Sequence, residues 1–190
     1  MSIMQEILDF NEKFVSNKDF EKYQTTKFPD KRLVILSCMD TRLVELLPHS
    51  MNLRNGDVKI IKNAGAIVAH PFGSIVRSIL VAVYELNADE VCVIGHYDCG
   101  MGKIEADKIL YKIKSEGVSE DTLSTIKYSG IDLKNWLRGF NSVEESVKHS
   151  VETLQNHPLF PKRVPVHGLI INPENGKLDL VVDGYKKEKE

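Results

Sequence analysis

The sequence predicts an α/β domain: a mostly parallel central sheet flanked by helices, with an antiparallel C-terminal edge and an N-terminal helical arm. Three observations carry that prediction. Continuous apolar runs at 33–36 and 91–94 suit strands buried on both faces, as parallel strands are. Segments of helical period separate the strand candidates, and strands alternating with helices imply right-handed parallel crossovers. Two final apolar runs, 166–171 and 178–182, flank Asn172-Pro173-Glu174-Asn175-Gly176-Lys177, a hairpin signal that adds an antiparallel edge.

Taken in order, Ile3, Ile7, Phe10 and Phe14 recur at helical spacing among polar residues, predicting an amphipathic helix over 3–15. Nothing in that pattern requires the helix to pack on its own domain. The arm extends to residue 28, with a polar and aromatic connector over 18–29. A strand at 33–36 ends just before Cys38. A short helix over 42–47 is expected to stop at Pro48, and Asn55-Gly56-Asp57 marks a turn. A second strand at 58–61 runs into Asn63-Ala64-Gly65-Ala66, small residues that let backbone approach a neighbour closely. A helix over 73–86 carries Ile75, Ile79, Leu80, Val83 and Leu86 as its apolar stripe, with Ser74 as a candidate cap. The strand at 91–94 ends just before His96. A helix over 103–116 closes at Gly117, and residues 118–141 are mixed, with weak helical character at 133–137. Ser142 and Glu145 match a capping box opening a helix to about 156, before Pro158.

At 190 residues the chain is one domain, 1–190, large enough for a real core. A formal charge of −2 gives no sign of nucleic acid or an anionic membrane as partner. No apolar run reaches bilayer length. The N-terminus lacks the charged and apolar regions of a secretory signal, which points to the cytoplasm. Three cysteines, Cys38, Cys92 and Cys99, do not make a disulfide framework, and reduced thiols are available as ligands or nucleophiles.

Two clusters carry chemistry: Ser37-Cys38-Met39-Asp40-Thr41-Arg42 and Gly95-His96-Tyr97-Asp98-Cys99-Gly100. Parallel strands leave their carboxyl ends on one sheet edge, where ligands of open α/β folds collect. Both clusters are therefore expected in one crevice. Cys38, His96 and Cys99 supply two thiolates and an imidazole, a set that suits zinc by softness and geometry. Three protein ligands leave one position for water, the mark of a catalytic site. The bland alternative is that isolated cysteines are small core residues. Cys92 fits that description: it lies four residues before His96, some 13 Å along a strand at about 3.3 Å per residue, too far to share a metal. Asp40 and Arg42 read either as an ordinary helix start or as a working pair. In the second reading Arg42 grips the Asp40 carboxylate, keeps it from becoming the fourth ligand, and leaves it to orient hydroxide.

In these residues the sequence resembles the β-class carbonic anhydrases, whose hallmark Cys-x-Asp-x-Arg and His-x-x-Cys-Gly stands here as Cys38-Met39-Asp40-Thr41-Arg42 and His96-Tyr97-Asp98-Cys99-Gly100. The wording is similar to the short bacterial branch with Cys-Met-Asp-x-Arg, and the resemblance spans roughly 31–183. It implies zinc-dependent reversible hydration of carbon dioxide to bicarbonate and a proton by zinc-activated hydroxide. One zinc per chain would sit on Cys38, His96 and Cys99, with Asp40 and Arg42 as the gating dyad. It also implies a homodimer or higher oligomer, with the arm packing on the partner subunit. Ala64, Gly65, Val68 and Met101 are candidate walls for the substrate pocket. His70, with Asp98 and Tyr97, is a candidate for proton export. The only tryptophan, Trp136, is far from the N-terminal half, so a Trp- and Arg-built regulatory bicarbonate pocket is not expected. Competing readings are hydrolysis of carbonyl sulfide or carbon disulfide on the same zinc site, a non-catalytic zinc or bicarbonate-binding module, and redox chemistry by Cys38 and Cys99.

Overall fold

The computed structural model describes residues 1–186. Five strands, β1 (Leu33–Cys38), β2 (Val58–Asn63), β3 (Glu90–His96), β4 (Val166–Ile171) and β5 (Leu178–Val182), form one sheet in the order β2-β1-β3-β4-β5. The first four run parallel and β5 is antiparallel to β4, as the apolar runs and the closing hairpin predict. In that hairpin the Asn172 N–H donates to the Lys177 carbonyl at 2.8 Å.

The strand order positions the site. The chain leaves β1 toward β2 on one side and returns to add β3 on the other. The direction of winding therefore reverses between β1 and β3, and a crevice opens at their carboxyl ends. Cys38 is the last residue of β1 and His96 the last of β3, because each strand runs two residues beyond the apolar run that marks it in the sequence. The β1–β3 register pairs Ser37 with Ile94, so Cys38 stands opposite Gly95 and His96 lies one residue further along the neighbouring strand.

Side chains alternate across the sheet, because strand period is two. On one face Val34, Leu36, Val91 and Val93 pack against Val76, Ile79 and Val83 of helix α3 (Ser74–Tyr84) and Val147, Val151 and Leu154 of a long C-terminal helix (Val143–Gln155). A Cβ on Gly95 or Gly168 would come within 2.8 Å of Val147, so glycine there lets the C-terminal helix lie directly on β3 and β4. On the other face Ile35, Cys92, Ile94 and Ile171 pack against Leu43 and Leu47 of helix α2 (Leu43–Ser50). Cys92 is thus a core residue, and burial pushes its thiol up to about 12, helped by the nearby Glu90 carboxylate.

Several local expectations change. Pro48 lies inside α2 rather than ending it; a two-turn helix gives up one ladder bond there and is held by buried Leu43 and Leu47. Ser74 is the first residue of α3, and its cap position is Gly73 without a side-chain bond. The mixed stretch contains helix α5 (Glu120–Tyr128), capped by Ser119 accepting from the Thr122 N–H, between α4 (Ala106–Ser115) and α6 (Leu133–Leu137). The Ser142 half of the predicted capping box on the C-terminal helix, α7, is present: Ser142 Oγ accepts from the Glu145 N–H at 3.3 Å. Helix α1 (Ile3–Ser16) buries no residue against its own chain, and Ile3, Ile7 and Phe10 stand exposed. Among the described residues no helix is long and apolar enough to cross a membrane.

Candidate metal centre

Cys38, His96 and Cys99 meet in the crevice. All three are buried, and their donor atoms lie within 4.8 Å of one another. Cys38 Sγ is 3.8 Å from Cys99 Sγ. Two sulfurs bound to one tetrahedral zinc at about 2.3 Å stand about 3.8 Å apart, so the pair already has the required spacing. The His96 ring settles the third donor. Its Nδ1 lies 2.8 Å from the Tyr97 carbonyl, which only an N–H can approach, so Nδ1 carries the proton and Nε2 keeps its lone pair. That Nε2 is buried without a hydrogen-bond partner. A buried acceptor left unpaired beside two sulfurs is what a metal ligand looks like without its metal. The residues fit zinc.

The electrostatics agree. The Cys99 thiol, His96 and the Gly65 N–H lower Cys38 to about 4, against the opposing effect of burial. Cys38 and burial hold Cys99 up, because a second thiolate beside the first needs a cation. His96 feels burial downward, but Cys38 and the Tyr97 carbonyl raise it.

Backbone geometry supports the sulfur. Gly65, in the turn after β2, has φ of +81° and its N–H donates to Cys38 Sγ at 3.3 Å. A Cβ there would reach Met101 Cγ and Ile67 Cδ1 at 2.9 Å. Glycine is required on both counts. Lys62, the last residue before Asn63, donates from Nζ to the Cys38 carbonyl at 3.2 Å and the Leu43 carbonyl at 3.5 Å. It spans the loop carrying Asp40 and Arg42, a role the sequence did not reveal because it depends on β2 lying beside β1.

Asp40 and Arg42 form a closed pair. Arg42 Nε donates to Asp40 Oδ1 at 3.0 Å and Nη2 to Oδ2 at 2.9 Å, while the Arg42 backbone N–H donates to Oδ1 at 2.9 Å. The Arg42 guanidinium holds the carboxyl at about 2. Oδ2 nevertheless lies 3.7 Å from His96 Nε2, so the carboxylate borders the centre while remaining committed to arginine. The other guanidinium edge faces Asp98: Nη2 donates to its carbonyl at 3.3 Å and Nη1 lies 3.5 Å from Oδ2.

The weaker candidates are spread out. Met101 lies beside Gly65, close enough to meet a Cβ placed there, and Gly65 donates to Cys38. Ala64 is half-buried in the same turn. Val68 lies in the core cluster with Leu36 and Val147, and its N–H donates to Ser150 Oγ. His70 is exposed and accepts from the Phe72 N–H through Nδ1. The Tyr97 hydroxyl donates to Asp179.

Known proteins share this chain's sequence and fold. A family profile described as carbonic anhydrase matches residues 33–178. The Bacillus subtilis (strain 168) protein "Putative carbonic anhydrase YtiB" is 67% identical over 185 residues, covering 97% of this chain and 99% of its own. A carbon disulfide hydrolase of Acidithiobacillus thiooxidans is 30% identical over 159 residues, covering 78% of this chain and 76% of its own. Among solved structures, β-carbonic anhydrase isoform I of Trichomonas vaginalis superposes with a TM-score of 0.89 at 32% identity, over 97% of this chain and 100% of that one.

Proposed function

The chain belongs to the β-carbonic anhydrase family, and from that premise we propose that it catalyses the reversible hydration of carbon dioxide to bicarbonate and a proton, with one zinc ion held by Cys38, His96 and Cys99. The observation that carries the reading is the unpaired, buried His96 Nε2 facing two sulfurs, with a carboxylate 3.7 Å away that is already bound to arginine. When bound, zinc supplies a Lewis acid that brings the pKa of water to roughly 7.

The chain's own groups do the rest. The His96 imidazole is fixed in its Nδ1–H tautomer by the Tyr97 carbonyl. Arg42 keeps Asp40 out of the fourth ligand position by occupying both of its oxygens. Asp40 Oδ2 accepts a hydrogen bond from the attacking water and turns its lone pair toward the carbon. Ala64, Gly65, Val68 and Met101 border the substrate, and the released proton passes to buffer, with His70 the first candidate to carry it. Helix α1 packs on a second copy of the chain, a role supported by its exposed apolar residues. Thiolate ligands suit a reducing compartment, the cytoplasm.

Carbon disulfide or carbonyl sulfide hydrolysis is the second reading, supported by the hydrolases at 30% and 31% identity. Stopped-flow hydration of carbon dioxide by zinc-verified protein, run beside assays on the two sulfur compounds, separates them. Carbon dioxide hydration no faster than buffer overturns the proposal, and turnover of carbon disulfide alone installs the second reading.

A further inference from the structure

Asp98 occupies the turn between two metal ligands, His96 and Cys99, with φ of +52°. A non-glycine residue in the left-handed region is held there by its surroundings. This conformation is accompanied by two contacts to one guanidinium: the Asp98 carbonyl accepts from Arg42 Nη2 at 3.3 Å, and its carboxylate Oδ2 lies 3.5 Å from Nη1. The second carboxylate oxygen is held by Lys103 Nζ at 2.6 Å. Lys103 lies in the turn just after Cys99 (Gly100–Lys103). Both edges of the Arg42 guanidinium are therefore engaged, Nε and Nη2 by Asp40 and Nη2 and Nη1 by Asp98.

We infer that Asp98 is a positioning residue for the reaction: braced by Lys103, it fixes the plane of the Arg42 guanidinium so that Asp40 stays turned away from the fourth metal position. The inference rests on the carbonic anhydrase reading above. An exposed ion pair at 3.5 Å contributes little by itself. The difference here is that carbonyl and carboxylate act together from a backbone fixed at both ends by ligands. A planar guanidinium with only one edge bound still rotates about its side-chain torsions; with both edges bound it does not. The turn that holds two ligands thereby also sets the angle at which arginine meets Asp40.

The test uses zinc-loaded full-length protein, wild type against Asp98→Gly and Asp98→Asn. Glycine adopts the left-handed conformation without strain and removes the carboxylate. Asparagine tolerates the same conformation and keeps a side-chain acceptor. The readout independent of turnover is hydrogen exchange at the Arg42 Nε–H, followed by 15N NMR and assigned by its absence in Arg42→Ala. Asp98→Gly is expected to speed that exchange by about tenfold or more and to lower kcat by about threefold, less than removal of Arg42 itself, with KM and zinc content unchanged. Asp98→Asn is expected to recover most of both effects. Wild-type exchange in Asp98→Gly overturns the inference. So does zinc loss in parallel with turnover, which makes Asp98 merely structural, and so does faster exchange with unchanged kcat. If wild type fails to hydrate carbon dioxide, the proposed function falls, while the exchange comparison still decides whether Asp98 fixes Arg42.

Discussion

Replacing Arg42 by alanine removes every side-chain donor that faces Asp40: Nε at 3.0 Å and Nη2 at 2.9 Å. With arginine in place the carboxyl sits at about 2 instead of its usual value near 4. A difference of that size corresponds to on the order of 2 kcal/mol. The guanidinium is 41% exposed, so water screens part of it and about 1–1.5 kcal/mol remains, or roughly tenfold in the population of correctly held carboxylate. Arg42→Ala is therefore expected to lose about tenfold in kcat/KM for carbon dioxide hydration while zinc stays near one per chain, because no ligand is touched. The same pair sets a pH signature in folding. The Asp40 carboxyl is held below its unfolded value, so its contribution is complete above about pH 4 and fades as pH falls toward 2. In urea unfolding of the metal-free proteins, the gap between wild type and Arg42→Ala should be about 1 kcal/mol at pH 6 and should narrow below pH 4. Full turnover in Arg42→Ala, or zinc lost in step with activity, refutes the gating argument; a gap that widens on acidification refutes the electrostatic one.

Cys38→Ser and His96→Ala are each expected to bring zinc well below one per chain by metal analysis, whereas Cys92→Ser keeps it. Cys92, with its thiol near 12 and only 8% exposed, should resist iodoacetamide in the folded protein. Gly65→Ala forces φ of +81° on an L-residue and drives a Cβ to 2.9 Å from Met101 and Ile67; a loss of about 1–2 kcal/mol lowers Tm by roughly 3–6 °C for a chain of this size, and an unchanged Tm would show that the turn relaxes freely. Ile7→Glu with Phe10→Glu places charge on α1, where these side chains are 54% and 68% exposed in the single chain. Each is worth about 1.5–3 kcal/mol when buried, so sedimentation should show dissociation to monomers; an unchanged assembly would remove α1 from the interface.

Much of this was written in local pattern. The runs at 33–36 and 91–94 declared strands covered on both faces, and the closing turn declared a hairpin, because periodicity and turn chemistry are properties of neighbouring residues. Helix α5 escaped because only Leu123 and Ile126, both half-buried, mark an inward face among polar residues, too short a stripe to read as a helical period. Pro48 misled for the opposite reason: buried Leu43 and Leu47 hold α2 through a residue that local rules treat as a stop.

The site divides along the same line. By itself the sequence determined which atoms are available for metal chemistry, namely the thiols of Cys38 and Cys99 and the imidazole of His96, and which carboxylate and guanidinium stand beside them. It also placed both clusters at strand ends. Only the tertiary structure decided that β1 and β3 are neighbours in a register that brings Cys38 within one residue of His96. The same arrangement leaves His96 Nε2 as the free ring nitrogen, lets Lys62 from β2 span the Asp40 loop, and brings Asp98 against Arg42, 56 residues away in sequence. The physical reason is that composition and period are fixed along the chain, whereas hydrogen bonds between distant residues depend on which elements the core packing makes adjacent.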